Sequence, residues 1–272
     1  VYYQSVVEEE CTGNGALACL QRGYRADAAL IPEPFDEKLV TSQVGIIWMQ
    51  VYLRGTPVHA MQTSSGVNAI EAAIPLIAAL RQLEETWNDV KPRHARFEHV
   101  EHPLNLNIGR IKGGDWPSAV PAWCCFDVRM GIYPGQDIEA ASKEIEACIQ
   151  DAAGQDPYLR SNPPQITYHG FLAEGYSLAD HDKPEARAAE QALARAHRAV
   201  TGDELQSMPI TATTDARFFG LYADTPALVY GPTAESIHGF NERVELESTR
   251  RVTHSIALFI ADWCGLDPRE RN

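Results

Sequence analysis

Tyr2-Tyr3-Gln4-Ser5-Val6-Val7-Glu8-Glu9-Glu10-Cys11-Thr12-Gly13-Asn14-Gly15-Ala16-Leu17-Ala18-Cys19-Leu20-Gln21-Arg22, followed by Ala28-Ala29-Leu30-Ile31-Pro32-Glu33-Pro34, reads as strand, helix and strand. The β-formers from Tyr2 to Val7 predict a strand, a glycine-containing turn follows the acidic triplet, and Ala16 to Arg22 suits a short helix. Ala28 to Ile31 is apolar enough for a buried second strand, and the two prolines end it. This order predicts a parallel α/β unit. The chain opens on Val inside the first predicted strand, so the expectation is that residues upstream have been removed or that the gene is partial.

Beyond Pro34 the texture changes. Gly45 to Arg54 is a long β-type run, Gly66 to Trp87 carries helical apolar spacing, and Leu104 to Ile111 and Ala119 to Met130 are strand-like. A helix from Asp137 to Ala152 and a strand around Gln165 to Tyr168 complete a β-α-β-β-α-β set, the split ferredoxin-like unit. We expect it to form a domain over 44–170. Glu185 to Val200 and Leu246 to Trp263 then read as amphipathic helices and Pro226 to Tyr230 as a buried strand, resuming the α/β texture. The α+β domain is therefore expected to be inserted into a larger one made of 1–43 and 171–272.

With 23 Lys and Arg against 37 Asp and Glu, the 272-residue chain carries a net charge of −14. That charge repels nucleic acid and anionic membrane. No apolar run approaches the roughly 18–20 residues of a membrane span, and the first residues show no signal-peptide pattern. The six cysteines lack the CxxC spacing of a structural zinc site, and reduced thiols in the cytoplasm are expected.

Glu8-Glu9-Glu10 falls where open α/β sheets place their ligands. A solvated charge run is the plainer alternative, but carboxylates crowded at a strand end need a cation or a proton to coexist. Gly13-Asn14-Gly15-Ala16-Leu17-Ala18 also matches the dinucleotide fingerprint G-x-G-x-x-G/A, with Glu33 placed like a ribose-binding acid. The glutamates oppose that reading, because they would face the pyrophosphate that the helix N-terminus attracts. Glu33 is held between prolines at the end of the second strand, and a late loop carries Gly231-Pro232 and Ile237-His238-Gly239-Phe240-Asn241-Glu242. Carboxylates with an imidazole suit zinc, cobalt or manganese better than calcium.

Together these segments resemble the two-zinc amidohydrolase and peptidase family of acetylornithine deacetylase, succinyl-diaminopimelate desuccinylase, aminoacylase and carboxypeptidase G. The resemblance continues at Arg54-Gly55-Thr56-Pro57-Val58-His59-Ala60, Asn68-Ala69-Ile70, Gly113-Gly114, Val120-Pro121, Phe126-Asp127-Val128-Arg129 and Thr214-Asp215-Ala216-Arg217. It implies an α/β zinc-exopeptidase-like catalytic domain, here partial, with an inserted ferredoxin-like α+β lid that dimerises. By the same resemblance Glu9 is the general base and Glu10, Glu33 and His238 are metal ligands, with a shift of register to Glu8 and Glu9 left open. His59, delivered from the partner subunit, would stabilise the oxyanion, Arg129 would bind the substrate carboxylate, and Asn68 and Thr214 would contact substrate.

The cofactor implied is zinc, two ions per complete site, with cobalt or manganese as substitutes. The substrate implied is a small N-acyl amino acid, with a dipeptidase or carboxypeptidase as the second reading. The family's early "HxD" and bridging Asp have no counterpart before the "EE" pair, so half of the metal site is expected to be lacking. An inactive dimerising fragment is the alternative that this supports.

Overall fold

Alternation along Gly45–Arg54 sets the architecture of the middle of the chain: Ile47, Met49, Val51 and Leu53 are buried, while Trp48, Gln50 and Tyr52 between them are half-buried. The computed structural model describes residues 1–89 and 94–266. In chain order its elements begin with α1 (Asn14–Gln21), β1 (Ala29–Ile31), β2 (Leu39–Gln43), β3 (Gly45–Arg54), α2 (Ala69–Asn88), β4 (Leu106–Gly113) and β5 (Trp123–Ile132). There follow α3 (Ile138–Gly154), α4 (Pro157–Ser161), β6 (Gln165–Ala173), β7 (Tyr176–Ser177), α5 (Pro184–Thr201) and β8 (Ser207–Ile210). The last are α6 (Ala216–Ala223), β9 (Ala227–Val229), β10 (Ala234–Glu235), β11 (Arg243–Val244) and α7 (Leu246–Cys264).

These elements divide into two units. One holds Val44–Gly175 with Thr211–Thr213, and the other holds Val1–Gln43, Tyr176–Ile210 and the residues from Thr214 on. In the first, β4, β5, β3 and β6 lie side by side in that order and every neighbouring pair is antiparallel. With α2 and α3 as the connections, this is the β-α-β-β-α-β arrangement. The helices bury Ala73, Leu76 and Leu80 of α2 and Ile145 and Ile149 of α3 in one core with the odd-numbered residues of β3. Asn68 starts α2 by accepting from the N–H of Ile70 and Glu71, and Asp137 starts α3 by accepting from Ala140 N at 2.7 Å.

Where α2 ends, it is tied to the strand beside it. Glu84, 5% exposed, accepts from Leu106 N at 2.6 Å, from Arg81 at 2.9 Å and approaches His102 Nε2 at 3.1 Å. Asn88 exchanges two hydrogen bonds with the backbone of Leu104.

In the other unit β1 pairs in parallel with β9, and β2 pairs in parallel with β8 and antiparallel with β7. The strand predicted over Tyr2 to Val7 does not form, and among the described residues no strand precedes Ala29. β-Propensity expresses packing against neighbouring strands rather than an intrinsic backbone preference. Here Val1, Tyr2, Tyr3 and Val7 are exposed, and Tyr2 instead meets the ring of Tyr24 edge-on at 5.5 Å. The acidic triplet consequently sits in a turn before α1 and not at the end of a strand. No described helix is long and apolar enough to cross a membrane.

Candidate active site

The turn sorts the three glutamates. Glu8 adopts left-handed backbone at φ 65°, its carbonyl accepts from the N–H groups of Cys11, Thr12 and Gly13, and its carboxylate accepts from Thr12 Oγ1 at 2.7 Å. Glu8 is thus spent on closing the turn. Glu10 Oε1 lies 3.2 Å from His238 Nε2. Glu9 is half-buried among acids: burial first, then the charges of Glu33 and Glu10, push its carboxyl up to about 7, against the opposing pull of Arg217 and His238.

The same crowding acts on two more carboxyls. Glu33 is raised by burial and by the charges of Glu10 and Asp215, with His238 pulling it down. Asp215 is raised by burial and by Glu9, with Arg217 pulling it down. Four carboxylates and one imidazole therefore share one electrostatic neighbourhood that carries more negative charge than it can neutralise. Asp215 and Arg217 were not singled out by the sequence reading, although Thr214 beside them was. The signal available was the segment Thr214-Asp215-Ala216-Arg217 itself.

Tight backbone packing explains how three distant segments meet here. A Cβ on Gly231 would lie 2.0 Å from Glu33 O, so the end of β9 can pass the end of β1 only as glycine. Glu37 N donates to Gly231 O at 2.8 Å and fixes that crossing. Gly13, at φ 72°, has the Phe218 ring and Asp215 Oδ1 where a Cβ would be, and Gly15 has the backbone of Val7 there. The glycines that resemble a dinucleotide fingerprint are accounted for by packing against α6 and the N-terminal segment. Arg217 donates to Thr12 O at 2.7 Å and lies 3.8 Å over the Phe218 ring, joining the start of α6 to the glutamate turn.

The loop between β10 and β11 delivers His238. Ser236, His238 and Asn241 all have positive φ, between 57° and 60°, and Gly239 N donates to Ser236 O at 2.6 Å. Among the described residues no group of three or more His, Cys, Asp or Glu side chains is arranged to hold a metal ion as it stands. The donor chemistry nevertheless fits one: Glu10, Glu33 and His238 offer oxygen, oxygen and nitrogen within an excess of negative charge.

Other residues singled out by sequence occupy different places. Thr214 is buried, with its hydroxyl donating to Gln43 Oε1 at 2.8 Å and accepting from Ala216 N. That hydroxyl is engaged in holding β2 to the start of α6. His181 has a side chain only 7% exposed and lies 3.7 Å from Asp224.

In the ferredoxin-like unit, His59 Nδ1 accepts from Met61 N at 3.1 Å, which puts the ring proton of the neutral form on Nε2. Arg129 donates to the carbonyls of Asn105 and Thr211, and burial lowers its pKa. Asn68 caps α2 and also lines a cavity of about 520 Å³ with Ile70, Asp115, Trp116 and Val120.

Residues 41–157 match the family described as the peptidase dimerisation domain. Acetylornithine deacetylase of Erwinia tasmaniensis is 33% identical over 97% of this chain and 64% of its own length. Residues 41–157 thus carry the M20 peptidase dimerisation domain. A second relative, N-formyl-4-amino-5-aminomethyl-2-methylpyrimidine deformylase of Halalkalibacterium halodurans, is 28% identical over 97% of this chain and 64% of its own length. The chain thus spans less than two thirds of the curated relatives it matches. The fold also matches the crystal structure of an M20 metallo-carboxypeptidase from Sulfolobus solfataricus, with a TM-score of 0.67 at 14% identity, covering 93% of this chain and 68% of that one.

Proposed function

We propose that the protein hydrolyses the amide bond of a small N-acyl amino acid, with Glu9 as the proton acceptor and Glu10, Glu33 and His238 holding the metal. The observation that supports this most is the Glu9 carboxyl, raised to about 7 next to the Glu10 and His238 pair. A general base works best when its pKa lies near the operating pH, because it then both takes and returns a proton. A zinc, cobalt or manganese ion bound by this donor set would supply Lewis acidity toward water and the amide carbonyl. Glu9 would take the proton released from water and return it to the leaving nitrogen.

Arg217, tied to Thr12 O, keeps a positive charge beside Glu9 and limits the rise of its pKa. His59, with Nδ1 already accepting, would present Nε2–H to the oxyanion from a partner subunit. Arg129 would receive the substrate carboxylate. The ferredoxin-like unit would pair two copies about a two-fold axis.

The test is hydrolysis of a panel of N-formyl, N-acetyl and N-succinyl amino acids by the zinc-supplemented protein expressed from its complete reading frame. Turnover of at least one member, lost on adding a chelator, is expected. Turnover of dipeptides alone would move the function to the peptidases, and no turnover of either would overturn it.

A further inference from the structure

Between the start of α2 and the segment that leads into β5, the ferredoxin-like unit holds the cavity of about 520 Å³. Its walls are laced together through the backbone. Thr56 and Val67 exchange two hydrogen bonds, Ala60 N donates to Ser118 O, Val120 N to Val58 O and Ala69 N to Pro121 O, all between 2.9 and 3.2 Å. A hollow framed in this way stands open before any ligand arrives, and its volume falls in the range of roughly 300–1,000 Å³ that small-molecule sites use.

The chemistry of the lining is one-sided. Ile70, Val120 and Pro121 supply aliphatic surface, and Trp116, 63% exposed, adds an indole. Among the described residues that line the cavity, Asp115 alone is charged. Its carboxylate is steadied by Trp123, whose Nε1–H is shared between the two oxygens at 3.2 and 3.3 Å. One shared N–H leaves most of a carboxylate's acceptor capacity unused, and among the described residues no lysine, arginine or histidine pairs with Asp115. Asn68 adds no charge, and its Oδ1 caps the N–H groups of Ile70 and Glu71, so the donors at that end of α2 are already engaged. A carboxylate without a cation, an indole and aliphatic walls together complement a positive charge carried on an apolar body, and they disfavour an anion.

We propose that this cavity binds a small primary ammonium with an apolar body, its –NH3+ on Asp115 and its apolar part against Trp116 and Ile70. The site goes beyond the amide-hydrolase reading and does not rest on it, because no metal and none of the clustered glutamates takes part.

The test is a ligand-observed NMR titration of the protein expressed from its complete reading frame, with EDTA present so that no metal contributes. The probes are 2-phenylethylamine, 2-phenylethanol, which lacks the charge, and methylamine, which lacks the apolar body. In the wild type 2-phenylethylamine should bind with a Kd below about 1 mM and at least about fivefold tighter than either of the others. Asp115→Asn keeps an acceptor for Trp123 and should weaken the amine by about fivefold, the scale of an ion pair open to water, bringing it close to the alcohol. Trp116→Ala should weaken amine and alcohol alike, and Trp116→Phe should keep most of both affinities.

Equal binding of amine and alcohol by the wild type, an amine affinity that survives Asp115→Asn, or no binding of any probe would overturn the proposal. So would binding that is lost in Glu10→Gln and kept in Asp115→Asn, which would assign the cation to the glutamate cluster. Ammonium binding that behaves as expected in a protein that hydrolyses no N-acyl amino acid would leave this site standing and the amide-hydrolase reading refuted.

Discussion

Glu10 and His238 stand 228 residues apart in the sequence and 3.2 Å apart in space, Oε1 to Nε2. Neither has a hydrophobic reason to be where it is, since both side chains are largely exposed. What brings them together is backbone: the Glu8 turn on one side and the left-handed loop after β10 on the other. A pair built in this way is suited to gaining a third partner.

The roles of Glu9 and Glu10 should separate by substitution. Glu9→Gln removes a proton acceptor and spares the donors, so turnover should fall by about 10²-fold or more with zinc content nearly unchanged. Glu10→Gln should instead lower zinc content. Metal analysis on both variants checks this, and zinc lost from Glu9→Gln but kept by Glu10→Gln would transfer the ligand to Glu9.

The 272-residue polypeptide itself should hold at most one zinc ion, and weakly. Three candidate donors fall short of what a two-metal centre needs, and carboxylates alone hold zinc poorly. Titration with zinc followed by elemental analysis measures it. Two tightly held ions would mean that donors outside Glu10, Glu33 and His238 take part.

Gly231→Ala should destabilise the unit that contains it by about 1–3 kcal/mol, the usual range for overpacking. The added carbon would meet Glu33 O at 2.0 Å, a backbone atom that cannot swing aside. Gly154→Ala is the control, because nothing lies within 4 Å of its position at the end of α3. Urea denaturation of the two variants should separate them clearly, and equal midpoints would show that the strand ends yield.

Glu84 gives stability a definite dependence on pH. Burial pushes its carboxyl up, but the Leu106 N–H, Arg81 and His102 more than offset that and hold it below the ordinary value of 4.5. The folded state thus binds this proton less readily than the unfolded chain. Its contribution is complete above the ordinary carboxylate range and is lost as pH falls through the lowered folded value. Glu84→Gln should cost about 1–3 kcal/mol at pH 7 and progressively less under acid. A constant difference at every pH would assign the loss to packing alone.

Light scattering should give the mass of a dimer. A strictly monomeric protein at high concentration would remove the pairing through the ferredoxin-like unit, and with it any role for His59 in a partner's site.

The alternation from Gly45 to Arg54 and the helical spacing of α2, α3, α5 and α7 were legible because each follows from a local period that burial then enforces. Tyr2 to Val7 has an equally strong local preference and fails, since a strand needs a neighbour and sequence does not reveal whether one is present. The site was legible through its types, carboxylates before a glycine turn and a late histidine, but not through its membership. Asp215 joins only because Gly13 leaves no side chain between them, a relationship across some two hundred residues that no window of sequence contains. Thr214 shows the same distance: its hydroxyl donates to Gln43, a partner that only the fold brings to it.

Thr211–Thr213 belongs with the ferredoxin-like unit although 35 residues of the other unit, Tyr176–Ile210, intervene. Arg129 depends on this return, since one of its two carbonyl acceptors is Thr211 O at 3.1 Å. Cutting out 44–175 as a self-contained module would therefore carry away the guanidinium and abandon half of what orients it. The piece could keep its core and its sheet and still present Arg129 at the wrong angle, so a fragment that folds well would be a poor guide to how this guanidinium is oriented in the parent.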